Sequence, residues 1–165
     1  MIVLVLGGAR SGQSRLAECR AAEKPEPVTF VATAVAANDG AEFAARIADH
    51  RSRRPPTRTT VEAVAVPTEH LHHIAGTVVV DSLGTWVAHH EDFKVGPAAL
   101  VDAITRPAGD TIAVSEEVGL GVQPATEVGR RFRDALGALN QAVAEVADEV
   151  LLVVAGRVLP LERSR

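Results

Sequence analysis

Ile2–Leu6 (IVLVL) is an unbroken apolar run that leads directly into GGARSGQSR and a stretch of helix-forming residues. A strand with one wet face alternates apolar and polar residues. A strand that is apolar at every position is covered on both faces. The glycine-rich turn adds a second constraint. A buried strand, a glycine turn and a helix, in that order, make a cradle whose backbone N–H groups converge on an anion.

The rest of the chain repeats the alternation. Strands are predicted at Val28–Thr33, Thr59–Val66, Val78–Val80, Thr111–Val114 and Val150–Val154. Helices are predicted at Ser14–Glu23, Asp39–Ser52, Thr68–Ile74 and Pro97–Thr105. Val128, Phe132, Leu136, Leu139, Val143 and Val146 recur at three- and four-residue steps, which predicts a long amphipathic helix over Ala125–Ala147. Strands alternating with helices imply an α/β fold with a mostly parallel sheet. With 165 residues and no internal repeat or linker, one domain over residues 1–165 is expected.

Composition narrows the function. Aromatic residues make up only 3% of the chain and the net charge is −4. Stacking platforms and a basic field are therefore both missing, so nucleic acid is not an expected partner. The single Cys19 rules out an intrachain disulfide and a cysteine-built zinc site. No apolar run reaches the roughly 18 residues of a membrane span, and MIVLVLGG lacks the basic region of a signal sequence, so a cytoplasmic location is expected.

The loop Gly7, Gly8, Ala9, Arg10, Ser11, Gly12, Gln13, Ser14 matches the phosphate-binding pattern G-x-x-x-x-G-K-[ST] at every fixed position but one. Gly7 and Gly12 permit the turn, and Ser14 stands where a hydroxyl meets Mg²⁺. Gln13 replaces the lysine. Asp81 ends the apolar run Val78–Val80, as a Walker B carboxylate does, and would hold Mg²⁺ directly or through water. On its own, a strand-end aspartate is more often a turn residue. His50 lies among Arg46, Arg51, Arg53 and Arg54. Such a cluster offsets triphosphate charge and favours the neutral, nucleophilic imidazole. Equally, it is what a solvated helix end looks like. His70, His72, His73, His89 and His90 form no compelling ligand pattern.

Taken together the motifs resemble one family, the bifunctional adenosylcobinamide kinase / adenosylcobinamide-phosphate guanylyltransferases of cobalamin biosynthesis. The segments that carry the resemblance are GGARSGQSR (Gly7–Arg15), FVATA (Phe30–Ala34), AARIADHRSRRP (Ala44–Pro55), TTVEA (Thr59–Ala63), VVVDSLGTWV (Val78–Val87), SEEVGLGVQP (Ser115–Pro124) and the stretch Gly129–Gly156. The resemblance implies a P-loop, RecA-like fold. It also implies phosphorylation of the aminopropanol hydroxyl of adenosylcobinamide, then transfer of GMP from GTP through a guanylyl-histidine at His50. The ligands it implies are GTP, ATP and Mg²⁺, and it implies a homo-oligomer, a trimer. Ala32, Thr33 and Ala34 would border the nucleotide. Arg51, Ser52, Arg53 and Arg54 would line it, and Glu62 would bond a nucleotide group. Gly119 and Gly121 would lie near the corrinoid or a subunit contact, and Trp86 would be structural.

Three positions depart from the family pattern. Gln13 removes a charge from the β- and γ-phosphates, which bears on the kinase step more than on guanylyl transfer. Glu116 stands where the family commonly has asparagine, and Arg58 where it often has tryptophan. The rival expectation is a nucleotide-binding homologue that has lost its chemistry.

Overall fold

The computed structural model describes residues 1–33, 58–62, 68–105 and 109–163. Among the described residues seven strands form one sheet: β1 (Ile2–Gly7), β2 (Val28–Ala32), β3 (Thr59–Glu62), β4 (Thr77–Asp81), β5 (Thr111–Glu116), β6 (Glu149–Val154) and β7 (Arg157–Pro160). Their order is β3-β2-β4-β5-β1-β6-β7, and every pairing is parallel except β6 with β7. The helices are α1 (Gln13–Ala22), α2 (Thr68–Leu71), α3 (Leu83–Ala88), α4 (Pro97–Thr105) and α5 (Glu127–Val146), with a 3₁₀ turn at Glu91–Phe93.

The unbroken apolar run in β1 has a simple cause. Successive side chains point to opposite faces. Val3 and Val5 pack with Ala17 and Ala21 of α1, alongside Phe30, Val79, Ile112 and Val114. Leu4 and Leu6 pack on the other face, where α3, α4 and α5 contribute Trp86, Leu100 and Leu139 among others. Both faces are dry over Val3–Leu6, which leaves no place there for an unpaired polar side chain.

Helix α5 is held at its start by Thr126, whose hydroxyl accepts from the Gly129 N–H at 3.1 Å. Its buried stripe is Leu136, Leu139, Asn140 and Val143. Val128 does not join that stripe as the periodicity predicts, and is 61% exposed in the first helical turn. The polar Asn140 takes a place in the stripe because its amide has fixed partners at the end of β5.

The sheet places its parallel strands with their carboxyl ends along one edge, and β5 lies between the strand that bears the glycine loop and the strand that ends in Asp81. This is a P-loop fold of the RecA-like kind. The predicted strand over Thr59–Val66 is observed as β3, Thr59–Glu62, with residues 63–67 outside the described set. The helix predicted at Asp39–Ser52 also falls outside it. Two elements go beyond the sequence reading. Helix α3 forms where Ser82 caps a short stretch whose Leu83, Trp86 and Val87 are buried. Strand β7 folds back on β6 through Ala155 and Gly156, both at positive φ.

Candidate functional site

The loop between β1 and α1 is the centre of the site. Gly12 adopts φ 100°, a left-handed conformation that a side chain resists, and from there the chain enters α1. The Leu16 N–H donates to the Gly12 carbonyl at 3.0 Å, which closes the first helical turn. Arg10 at the tip also has positive φ, 55°. Two neighbours brace the loop. The Gly156 N–H, in the β6–β7 turn, donates to the Ser11 carbonyl at 2.8 Å, and the Glu117 N–H donates to the Gly7 carbonyl at 3.0 Å. The antiparallel hairpin, which the sequence reading left out, is thus part of the support of the phosphate loop.

Ser14, in the first turn of α1, reaches across to β4. Its hydroxyl donates to Asp81 Oδ1 at 3.2 Å, joining residues 67 positions apart. A hydroxyl and a carboxylate side by side, at the mouth of a loop of backbone N–H groups, are the hard oxygen donors that Mg²⁺ takes when it also binds phosphate. The residues present therefore fit that ion, and Ser14 and Asp81 are the two that would hold it. Gln13 behaves differently from a lysine. The Ser11 hydroxyl donates to Gln13 Oε1 at 2.5 Å, so the amide is engaged within the loop itself.

An open pocket of about 420 Å³ adjoins the loop. Gly8–Ser11 form one wall; Glu117, Leu120 and Leu152–Ala155 form the others.

The neighbouring residues are held by a buried polar network. Thr33, just past β2, is fully buried; its hydroxyl donates to the Ser82 carbonyl at 2.7 Å and accepts from the Ser82 N–H at 2.8 Å. Its side chain therefore serves the backbone beside Asp81 and is not turned to an open cavity. Glu116, at the end of β5, accepts from the Ser82 hydroxyl at 2.7 Å and from the Gly84 N–H at 2.9 Å. Burial pushes its carboxyl above the ordinary value. The Asp81 charge adds to that, while the Ser82 hydroxyl and backbone N–H donors act against it. Asn140 completes the set: it accepts from the Ser115 hydroxyl at 2.6 Å and donates to the Glu116 carbonyl at 3.1 Å.

Of the residues singled out from sequence, the structure brings Gly7–Ser14, Ala32, Thr33 and Asp81 to one edge of the sheet. Glu62 ends β3 in the same register row, Glu62–Ala32–Asp81. Two strand spacings put it roughly 10 Å from Asp81 along the sheet. Ala34, His50, Arg51, Ser52, Arg53 and Arg54 lie outside the described residues. Trp86 is 3% exposed and sits in the core with its ring edge-on to His90. Arg58 bridges the C-terminus of α1 and Glu26, donating to the Ala21 carbonyl and the Glu26 carboxylate, each at 3.3 Å. Among the described residues no three His, Cys, Asp or Glu side chains gather in a metal-binding group. None of the described helices is long and apolar enough to cross a membrane.

Fold and loop define the class first: a P-loop, nucleotide-binding α/β protein. The particular family follows from comparison. Residues 3–161 match the family described as cobinamide kinase / cobinamide phosphate guanyltransferase, and the chain belongs to that family. The bifunctional adenosylcobalamin biosynthesis protein CobP of Pseudomonas aeruginosa is 40% identical over 168 residues, covering 96% of each chain. The proteins of that description called CobU are 33% identical in Escherichia coli and 34% in Salmonella typhimurium, each over 94% of this chain and 97% of theirs. A fold likeness to the P4 protein of bacteriophage φ6, solved with ADP, is slight, at 14% identity and a TM-score of 0.45, and bears no weight. The family places the chain in cobalamin biosynthesis as a transferase.

Proposed function

We propose that the chain carries out both reactions in its family's description. In the first, the aminopropanol hydroxyl of adenosylcobinamide attacks the γ-phosphorus of ATP or GTP. The new P–O bond forms as the bond to the β-phosphate oxygen breaks, ADP or GDP leaves, and the hydroxyl proton passes to solvent. In the second, an imidazole nitrogen of His50 attacks the α-phosphorus of GTP and expels pyrophosphate. A phosphate oxygen of adenosylcobinamide phosphate then displaces the histidine, giving adenosylcobinamide-GDP.

The observation that carries this reading is the Ser14–Asp81 pairing at 3.2 Å beside the glycine loop, in a chain of this family. The loop's N–H groups and the start of α1 bind and orient the phosphates. Ser14 and Asp81 would hold Mg²⁺, which would supply charge to offset the phosphates. Gln13 supplies no cation, so phosphoryl transfer is the slower half of the pair. A homo-oligomer fits the sheet's outer edge, where β7 is exposed along its length and Leu159 is 56% exposed.

The test is a product analysis. The protein is incubated with adenosylcobinamide, ATP, GTP and Mg²⁺, and the corrinoids are separated and weighed by mass spectrometry. Adenosylcobinamide phosphate and adenosylcobinamide-GDP are both expected. Formation of the GDP adduct only when the phosphate is supplied would remove the kinase half. Formation of neither would overturn the proposal.

A further inference from the structure

Glu116 is a family departure that the reactions above do not use, yet both of its carboxylate oxygens are engaged in the structure. Its two carboxylate oxygens are divided between two donors. Oε1 takes the Ser82 hydroxyl at 2.7 Å and Oε2 takes the Gly84 N–H at 2.9 Å. The second contact requires glycine at position 84, because a Cβ there would stand 2.0 Å from Oε2. Ser82 directly follows Asp81, and its backbone is already tied from the other side by Thr33. The strand end that carries Asp81 is thus gripped twice: its main chain by β2, its next side chain by β5. The Asn140 bond to the Glu116 carbonyl fixes β5 in turn against α5.

We propose that Glu116 is a positioning residue of the Mg²⁺–nucleotide site, acting through Ser82 to hold Asp81 against Ser14. The inference rests on the reading of Ser14 and Asp81 as the magnesium-holding pair. In this reading Glu116 acts at one remove from nucleotide and metal. Its oxygens are spent on Ser82 and Gly84, and its effect reaches the ion only through the orientation of Asp81. Residues that orient a ligand of a metal commonly set its affinity by about 10- to 100-fold.

The two roles separate in a titration of the full chain with ADP, with and without Mg²⁺, followed by calorimetry. The readout is the gain in ADP affinity that Mg²⁺ confers. In Glu116→Ala this gain should fall by about tenfold while metal-free ADP binding stays within about twofold of the parent. Glu116→Gln should restore most of the loss, since its amide can still donate to Ser82 and accept from Gly84. In an Asp81→Asn background Glu116→Ala should cost nothing further, because the residue through which it acts is gone. Should Glu116→Ala fold poorly, Gly84→Ala displaces the same carboxylate from α3 and should show the same loss. A full Mg²⁺ gain in Glu116→Ala or Gly84→Ala overturns the inference. So does a Glu116→Gln variant as impaired as Glu116→Ala, which would mean the charge itself acts. If the parent protein shows no Mg²⁺ gain, the magnesium reading of Ser14 and Asp81 fails, and this inference fails with it.

Discussion

The phosphate loop and the clamp beside it lie at the same edge of the sheet but are built on opposite principles. The loop is local: eight consecutive residues, Gly7–Ser14, with one left-handed glycine and braces from Gly156 and Glu117. Its working groups are backbone N–H groups, so glycine spacing encodes it. The clamp of Thr33, Ser82, Glu116 and Asn140 is built from side chains on four separate elements. Its members are joined across 49, 34 and 24 residues. In the proposed function the loop supplies chemistry and the clamp supplies position. A change in the first should alter reaction rates with little effect on folding. A change in the second should register in stability.

The largest expected effect lies in the loop. Gln13→Lys restores a cation to the β- and γ-phosphates, and steady-state kinetics should show the kinase turnover rise by about two to three decades. The denaturation midpoint should barely move, since Gln13 is only partly buried. An unchanged kinase rate would show that another group already supplies the charge. In the clamp, Asn140→Leu strands the Ser115 hydroxyl and the Glu116 carbonyl, and urea unfolding should show a loss of about 1–3 kcal/mol. A stability within error of the parent would dissolve the distinction between the two regions.

A pH series sharpens the comparison further. The folded-state pKa of Glu116 lies above its unfolded value of about 4.5. As pH rises past that value the unfolded chain releases its proton first. The native state then binds more protons, and stability falls until the raised folded pKa is passed. Glu116→Gln should remove this decline, so its stability relative to the parent should improve from pH 4 towards neutrality, by no more than about 1.4 kcal/mol per pH unit. The smallest effect belongs to the periphery. Arg20 meets Glu149 at 2.8 Å with both side chains about a third exposed. Arg20→Ala should cost less than about 1 kcal/mol by the same urea measurement.

The contrast also explains what was legible in the sequence. Strand β1, helix α1 and the Ser14–Asp81 pair were readable because a dry strand, a glycine turn and a strand-end acid each leave a local mark. Helix α4 was readable to its ends, Pro97–Thr105, from its proline start and apolar spacing. Helix α3 was not. Gly84 and Thr85 are poor helix formers, and the helix exists because Ser82 caps it and Trp86 is buried. Strand β7 was missed for the opposite reason: it is four residues of exposed edge, with no buried face to impose a period. Glu116 was visible only as a departure from the family pattern. Its role depends on a glycine 32 residues away that has no side chain in the path of the carboxylate.

We propose guanylyl transfer by this chain with His50 as the nucleophile. This central claim is tested most directly by incubating the protein and Mg²⁺ with GTP labelled on its α-phosphate, then denaturing the protein and looking for bound label. An acid-labile, alkali-stable GMP adduct that disappears in His50→Ala is the predicted result. Tight GTP binding with no adduct, or an adduct that persists in His50→Ala, would contradict the account.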